Sequence, residues 1–413
     1  MDNFRNMGQG INFSKNLHRL NPFLIFLITF FILYLFPEIK ISSFSLANFF
    51  PILVFLILFI KKESREIFVE KKNILIFWLV FIILNLLSIA FSPYKSLAIM
   101  GAGRIISLST LLWIFFYLFK NKENWDIFLN FLFYFAIFSS LLNIFLFIFP
   151  SIIFKYLSKL YLHSVIYPRL GFPFLYPNTY AFFLLAVLVI LLFNNFDIKQ
   201  KNIFYFFISI GLILSGSKGG LIFYVLFSIL SFLYFKNKKE IKYIMPMTII
   251  FSIIFLFLWV PINKNKILSK ITLSLNKNVG QSEAIKETYS LTEYKKLSVE
   301  NRIDIWEESI YYFFKNPLFG YGPLVNRYKL TKMLAHNIFL DFMIGYGILG
   351  LIFLITIIFL ITKKILKVRK PVYIFLFSYF LVYSLIETLF FNGIIDMIFC
   401  GFLVKLINEK NID

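Results

Sequence analysis

Charge is scarce in this chain of 413 residues: only 15% are Asp, Glu, Lys or Arg, against 60% hydrophobic. What fills the gaps between charges is a series of apolar runs of about 16 to 24 residues, the length that crosses a hydrocarbon core of about 30 Å as helix, which excludes a soluble domain. Cysteine is rarer still. The single Cys400 rules out an intrachain disulfide, leaves the redox compartment open, and sits in an apolar run as ordinary core. Histidine occurs three times, and no group of His, Cys, Asp and Glu has ligand spacing, so no metal site and no cofactor is expected. The alternation of barrel strands is missing, so the apolar runs satisfy their backbone groups internally as helices and the fold class is all-α. A small-residue cleavage site is also missing. The first apolar run, Pro22 to Pro37, follows a basic leader with Arg5, Lys15 and Arg19 and is expected to stay as the first span.

Phenylalanine is abundant, with 58 residues spread over the whole chain, and reads as a composition bias rather than a local aromatic groove. The net charge of +21 does not point to nucleic acid, because the basic residues lie in short clusters between apolar runs, where they orient the chain and meet anionic lipid. Apolar length and polar breaks predict about twelve spans, near 22–37, 44–60, 73–91, 103–119, 126–149, 178–195, 203–216, 219–235, 243–260, 338–361, 372–390 and 392–407. Lys61, Lys62, Arg65, Lys71 and Lys72, then Lys120 and Lys122, Lys199 and Lys201, Lys236 to Lys242 and Lys363 to Lys370 all fall on one side, which the positive-inside rule makes cytoplasmic. Both termini are then cytoplasmic, and one long loop is external. The expected organisation is spans over 1–260, the loop over 261–337, and spans and a tail over 338–413.

Within the loop, Lys264 to Lys296 is polar with little periodicity. After Ser298, a candidate N-cap, Ile303, Trp306, Ile310 and Phe313 recur at helical spacing and predict an amphipathic helix along the membrane surface. Arg302 and Trp306 share a face of it. Asn316-Pro317, Gly320 and Gly322 then turn the chain. Trp306 and Tyr321 are expected to pack at the interface, and Gly320, Gly322, Gly345 and Gly347 to serve backbone geometry and close contact.

Charged residues that cannot be topology signals gather toward the same face: Arg104 opening the fourth span, Arg169 before the sixth, Lys218 in the break Ser215-Gly-Ser-Lys-Gly-Gly220, and Glu387 and Asp396 around the last external turn. Arg104 reads as an interfacial anchor, and Glu387 and Asp396 as helix-end acids. Together with Arg302 and His336 the face suits transfer from a phosphorylated lipid carrier. Arginines stabilise negative charge growing on a diphosphate leaving group without a divalent ion, and an imidazole can take the proton of an acceptor hydroxyl near neutral pH.

The order Arg302-x3-Trp306, Asn316-Pro-Leu-Phe-Gly-Tyr-Gly322, His336-Asn337 and Gly345-x-Gly347-x2-Gly350 resembles the signature region of the bacterial O-antigen ligase and polymerase superfamily. Arg169-Leu-Gly171 with Tyr176-Pro177-Asn178, and Ser215-Gly-Ser-Lys-Gly-Gly, resemble two upstream segments of that family. Lys218 stands where the family has arginine, and Tyr176 where asparagine is common. The resemblance implies a GT-C-like membrane glycosyltransferase with one large external loop between spans nine and ten. It implies metal-independent transfer of glycan from an undecaprenyl-diphosphate donor to a glycan or lipid acceptor on the external side. Arg302 and His336 would be catalytic, and Arg169, Lys218 and Arg302 would hold the diphosphate. A polymerase extending a lipid-linked repeat unit for O-antigen or capsule, with a chain-length regulator or flippase as partner, is expected ahead of a ligase. A lipid-linked oligosaccharide transporter is the rival of another class; it predicts two similar halves, and no internal repeat is visible.

Overall fold

The structure is a computed structural model that describes residues 21–35, 40–41, 44–149, 170–174, 177–193, 198–234, 291–331, 335–385 and 393–410. Apart from one antiparallel pairing of Lys40–Ile41 with Phe44–Ser45, the described residues form helices joined by turns. In chain order these are α1 (Pro22–Leu35), α2 (Leu46–Ile60), α3 (Lys62–Glu70), α4 (Lys72–Phe91), α5 (Lys95–Ser109), α6 (Leu111–Leu118), α7 (Lys122–Ile148), α8 (Pro177–Phe193), α9 (Ile198–Leu214), α10 (Lys218–Tyr234), α11 (Leu291–Lys315), α12 (Val325–Tyr328), α13 (Ile338–Val368), α14 (Pro371–Ser384) and α15 (Ile394–Asn408). Among the described residues, four stretches are long and apolar enough to cross a membrane: Lys72–Phe91, Lys95–Leu118, Lys122–Ile148 and Ile338–Val368. Shorter apolar helices stand at most of the other expected spans. The expected span at 243–260 lies outside the described residues.

Burial follows the logic of a lipid solvent. Along α4 the buried residues are Asn85 and Ser88, whereas Ile76, Leu79, Val80, Ile83 and Leu86 are exposed. Lipid tails are as apolar as leucine, so nothing drives leucine inward; polar groups gain by turning toward protein partners. Conversely α8, of similar composition, is buried on every side from Tyr180 to Leu192 and packs against α7, α9, α10 and α14. Small residues let these helices approach closely. A Cβ on Gly211 of α9 would lie 2.4 Å from Ser140 Oγ and 2.8 Å from Tyr180 Oη, and one on Gly220 of α10 would lie 2.8 Å from the Ala181 Cβ. Hydroxyls add interhelical bonds, such as Tyr224 to Ser209 at 2.9 Å and Trp78 Nε1 to Ser109 at 2.8 Å. Each contributes about 0.6 kcal/mol on average in membrane bundles.

Two expectations need correction. Arg104 does not open a span: α5 and α6 run on as the apolar stretch Lys95–Leu118, and Arg104 sits well inside it, partly buried. The expected start at 103 lies too late, because the apolar helical stretch already begins at Lys95. Likewise Ser298 is not a cap, because α11 begins at Leu291 and passes through it. The expected apolar stripe of α11 lies on its exposed side at Ile303 and Ile310, as for a helix along a membrane surface. Ile305 and Ser309 are buried while Ile303, Ile310 and Phe314 are exposed. At a lipid boundary the larger apolar side chains can face outward and the small Ser309 can face the protein, which is how α11 closes on α13.

Candidate active site

α13 is interrupted where it meets the loop after α11. Gly347 has φ 66° and ψ −156°, a conformation outside the helix that glycine alone adopts without cost. The break frees backbone groups that the loop then satisfies. Tyr321 N–H donates to the Ile344 carbonyl at 2.7 Å, Gly322 N–H to the Gly345 carbonyl at 2.9 Å, and Ile348 N–H to the Pro317 carbonyl at 2.7 Å. Irregular backbone inside a membrane protein persists only where protein or a polar cavity satisfies it, and here two Gly-Tyr-Gly segments satisfy each other. The approach leaves no room for side chains. A Cβ on Gly320 would stand 2.5 Å from the Ile344 carbonyl oxygen, one on Gly347 2.4 Å from that of Leu318, and one on Gly101 of α5 1.9 Å from that of Pro323. The expected structural role of these glycines in the turn and the break is what the geometry shows.

The loop is also gripped from α4 and closed on itself. Phe91 stacks on Phe319 with ring centroids 4.1 Å apart, and Ser92 Oγ donates to the Tyr321 carbonyl. Asn316 Nδ2 donates to the Gly320 carbonyl, which closes the Asn-Pro turn. Below, Tyr346 Oη donates to Asn85 Oδ1 at 3.0 Å, the use to which α4 puts its buried amide. At the near side of the loop Lys315 lies over the Tyr311 ring, 4.4 Å from its centroid, and a hydrogen bond with Tyr311 raises its pKa. Burial pushes the Tyr321 phenol up, and Lys315 pulls it partly back.

Arg302 and His336 belong to segments held against one another. Arg302 is partly exposed on α11, and one turn on, Trp306 Nε1 donates to the carbonyl of Ala335 at 2.7 Å. The next residue, His336, is partly exposed and left-handed at φ 52°. For a side chain with a Cβ that conformation costs roughly 1–2 kcal/mol and persists only where the surroundings impose it. Asn337 follows as the N-cap of α13, accepting from Phe339 and Leu340 N–H at 2.9 and 3.3 Å. Asp341, in the first turn, accepts from Ala335 N–H at 3.0 Å and from Asn326 Nδ2 at 2.8 Å through the same oxygen. A carboxylate in the first turn of a membrane helix is a legible signal, since charge there is costly without partners. The sequence reading passed over it.

The upstream motifs meet at the same end of the bundle. Leu170 N–H donates to the Leu214 carbonyl at 2.9 Å, and Gly171 abuts Pro177, where a Cβ would lie 2.7 Å from the proline Cα. Gly216, at φ 58°, makes the turn from α9, and Ser217 caps α10 by accepting from Gly220 N–H at 3.2 Å. Lys218 is the first residue of α10. Tyr383, near the end of α14, donates to the Asn178 carbonyl at 3.1 Å and lies 3.5 Å from Ser217 Oγ. Two residues on, the Leu385 carbonyl accepts from Asn337 Nδ2 at 3.3 Å. The end of α14 thus bridges the segments of Asn178 and Ser217 to the segment of His336. Arg169, Tyr176 and Glu387 lie outside the described residues. Asp396 is held by local structure: its carboxylate accepts from Gly393 N–H at 2.7 Å and caps α15. Among the described residues no group of three His, Cys, Asp or Glu side chains could hold a metal ion.

Residues 203–355 match a family model described as O-antigen ligase, a stretch that runs from α9 through the loop to the broken part of α13. No curated protein matches the chain.

Proposed function

We infer that this chain, a member of the O-antigen ligase and polymerase superfamily through residues 203–355, is a glycosyltransferase that polymerises a surface polysaccharide. The growing glycan leaves undecaprenyl diphosphate and passes to a lipid-linked repeat unit on the outer leaflet of the plasma membrane, with both termini of the enzyme in the cytoplasm. The observation that carries this reading is the Trp306 bond to Ala335, which ties the helix of Arg302 to the segment of His336. In the reaction an acceptor hydroxyl attacks the anomeric carbon, the bond from that carbon to the phosphate oxygen breaks, and the diphosphate departs with the electron pair. Arg302, Arg169 and Lys218 offset the charge that develops on it, and His336 orients or deprotonates the hydroxyl. Holding two lipid-tethered substrates side by side supplies much of the rate. Arginine provides a two-pronged contact to phosphate that Lys218 cannot, so Lys218 acts as a point charge.

The description of the matched family favours a second reading, a ligase that moves finished glycan onto lipid A core or a protein. One experiment separates them: the surface and lipid-linked glycan profile, by gel and mass spectrometry, of a deletion strain complemented with wild type or with Arg302→Ala. Single repeat units in the deletion strain and with Arg302→Ala support the polymerase. Full-length glycan retained on undecaprenyl diphosphate supports the ligase. Full restoration by a well-expressed Arg302→Ala protein would remove the loop from the chemistry and favour a transporter.

A further inference from the structure

Ala335 has both of its backbone polar groups held by side chains from different helices. Its N–H goes to Asp341 Oδ1 of α13 at 3.0 Å, and its carbonyl takes Trp306 Nε1 of α11 at 2.7 Å. The residue is fully buried, so water does not replace either partner. The same Asp341 oxygen takes Asn326 Nδ2 at 2.8 Å, which ties α12 into the arrangement through its buried Asn326, and Thr331 Oγ1 reaches back to the Asn326 carbonyl at 3.3 Å. On the other side of His336, Asn337 is fixed as the cap of α13. His336 is therefore a partly exposed residue between two anchored ones, and its left-handed backbone is the conformation that joins them.

We propose that Trp306 and Asp341 are positioning residues that clamp Ala335 from two helices and so set the His336 imidazole against the face of α11 that carries Arg302. The proposal rests on the reading of His336 as the group that acts on the acceptor hydroxyl. Arg302 and Trp306 are four apart and share that face, so whatever fixes Trp306 to Ala335 also fixes the spacing of the two functional segments. Displacement of a reacting group by about 1 Å costs up to about 100-fold in rate, so a single hydrogen bond that sets such a spacing has a large lever. Both residues act through Ala335.

The test uses full-length protein in proteoliposomes carrying the lipid-linked repeat unit extracted from the deletion strain, with Trp306→Phe, Asp341→Ala, Asp341→Asn and His336→Gln. Trp306→Phe keeps an aromatic ring but removes the pyrrole ring with its N–H, and Asp341→Asn keeps an acceptor oxygen for Ala335. Trp306→Phe and Asp341→Ala are expected to lower kcat about 10-fold or more with KM for the lipid-linked donor unchanged within about twofold, and Asp341→Asn is expected to restore most of kcat. A second readout does not need turnover. Diethyl pyrocarbonate modification of His336, followed by peptide mass spectrometry with His18 and His163 as references in the same molecule, is expected to change several-fold in the two disruptive variants alone. Unchanged His336 reactivity in Trp306→Phe overturns the clamp, whatever happens to kcat. So does an unchanged kcat in Trp306→Phe while His336→Gln is inactive, and in that case the proposed function stands. An active His336→Gln sinks the reading of His336 instead, and the modification rates then decide the clamp by themselves. If Asp341→Ala does not fold, Trp306→Phe, which keeps an aromatic ring on α11 and removes the indole N–H, decides.

Discussion

The two ends of the bundle are fastened by different means. At one end long side chains reach across gaps: Lys370 pairs with Glu409 at 2.5 Å, Lys364 donates to the Glu409 carbonyl at 2.7 Å, and Lys71 donates to Asn408 at 3.0 Å. At the other, backbone meets backbone, with Tyr321, Gly322 and Ile348 bonded into the break of α13 and glycines where any Cβ would collide. Flexible lysines adjust to displacement, whereas interlocked main chains do not. Position is thus set most tightly at the end that carries Arg302 and His336, as expected where groups must be held to within a fraction of an ångström.

Substitution at the interlock should have the largest effect. Gly347→Ala adds a Cβ 2.4 Å from the Leu318 carbonyl oxygen in a left-handed backbone. It is expected to cost roughly 3 kcal/mol or more through strain and lost loop bonds, read as a large fall in melting temperature in detergent together with loss of glycan polymer. Melting at the wild-type temperature would show the loop to be loosely seated. A smaller effect is expected from Tyr346→Phe, which removes the donor to Asn85 and leaves that amide oxygen buried among apolar groups. The expected destabilisation is about 0.6–2 kcal/mol, with glycan length unchanged; no shift in melting would mean that Asn85 finds another donor. The smallest belongs to the opposite end. Lys370 is 42% exposed and Glu409 19%, so Lys370→Ala is expected to cost less than about 1 kcal/mol and to leave the glycan profile as in wild type. A shortened glycan in that variant would break the contrast between the two ends.

The motif residues were legible in the sequence because chemistry needs particular side chains in order. The joining of their segments was legible only as an inference from sidedness. Arg302, Trp306, His336 and the glycines could be named from spacing alone, yet nothing in the sequence told that the Trp306 indole reaches the residue before His336, or that Tyr383 links Ser217 to Asn178. Those bonds connect residues far apart in the chain. Arg104 was misplaced for a related reason: a charge was taken as the edge of a span, whereas it sits partly buried within the apolar stretch Lys95–Leu118. In α11 the apolar spacing gave the helix and the stripe of Ile303 and Ile310 that turns outward, but not the buried face of Ile305 and Ser309.

By itself the sequence determined that the chain lives in a membrane as helices, because apolar length and the need to satisfy every backbone group in lipid leave no other solution for runs of this composition. It also determined where glycine breaks fall and which ionisable residues stand near them. Only the tertiary structure decided that α8 is the buried centre and α4 an outer helix with Asn85 and Ser88 turned inward. Lipid and protein interior are equally apolar, so hydrophobicity cannot choose between them; close packing at small residues and the few available hydrogen bonds make that choice.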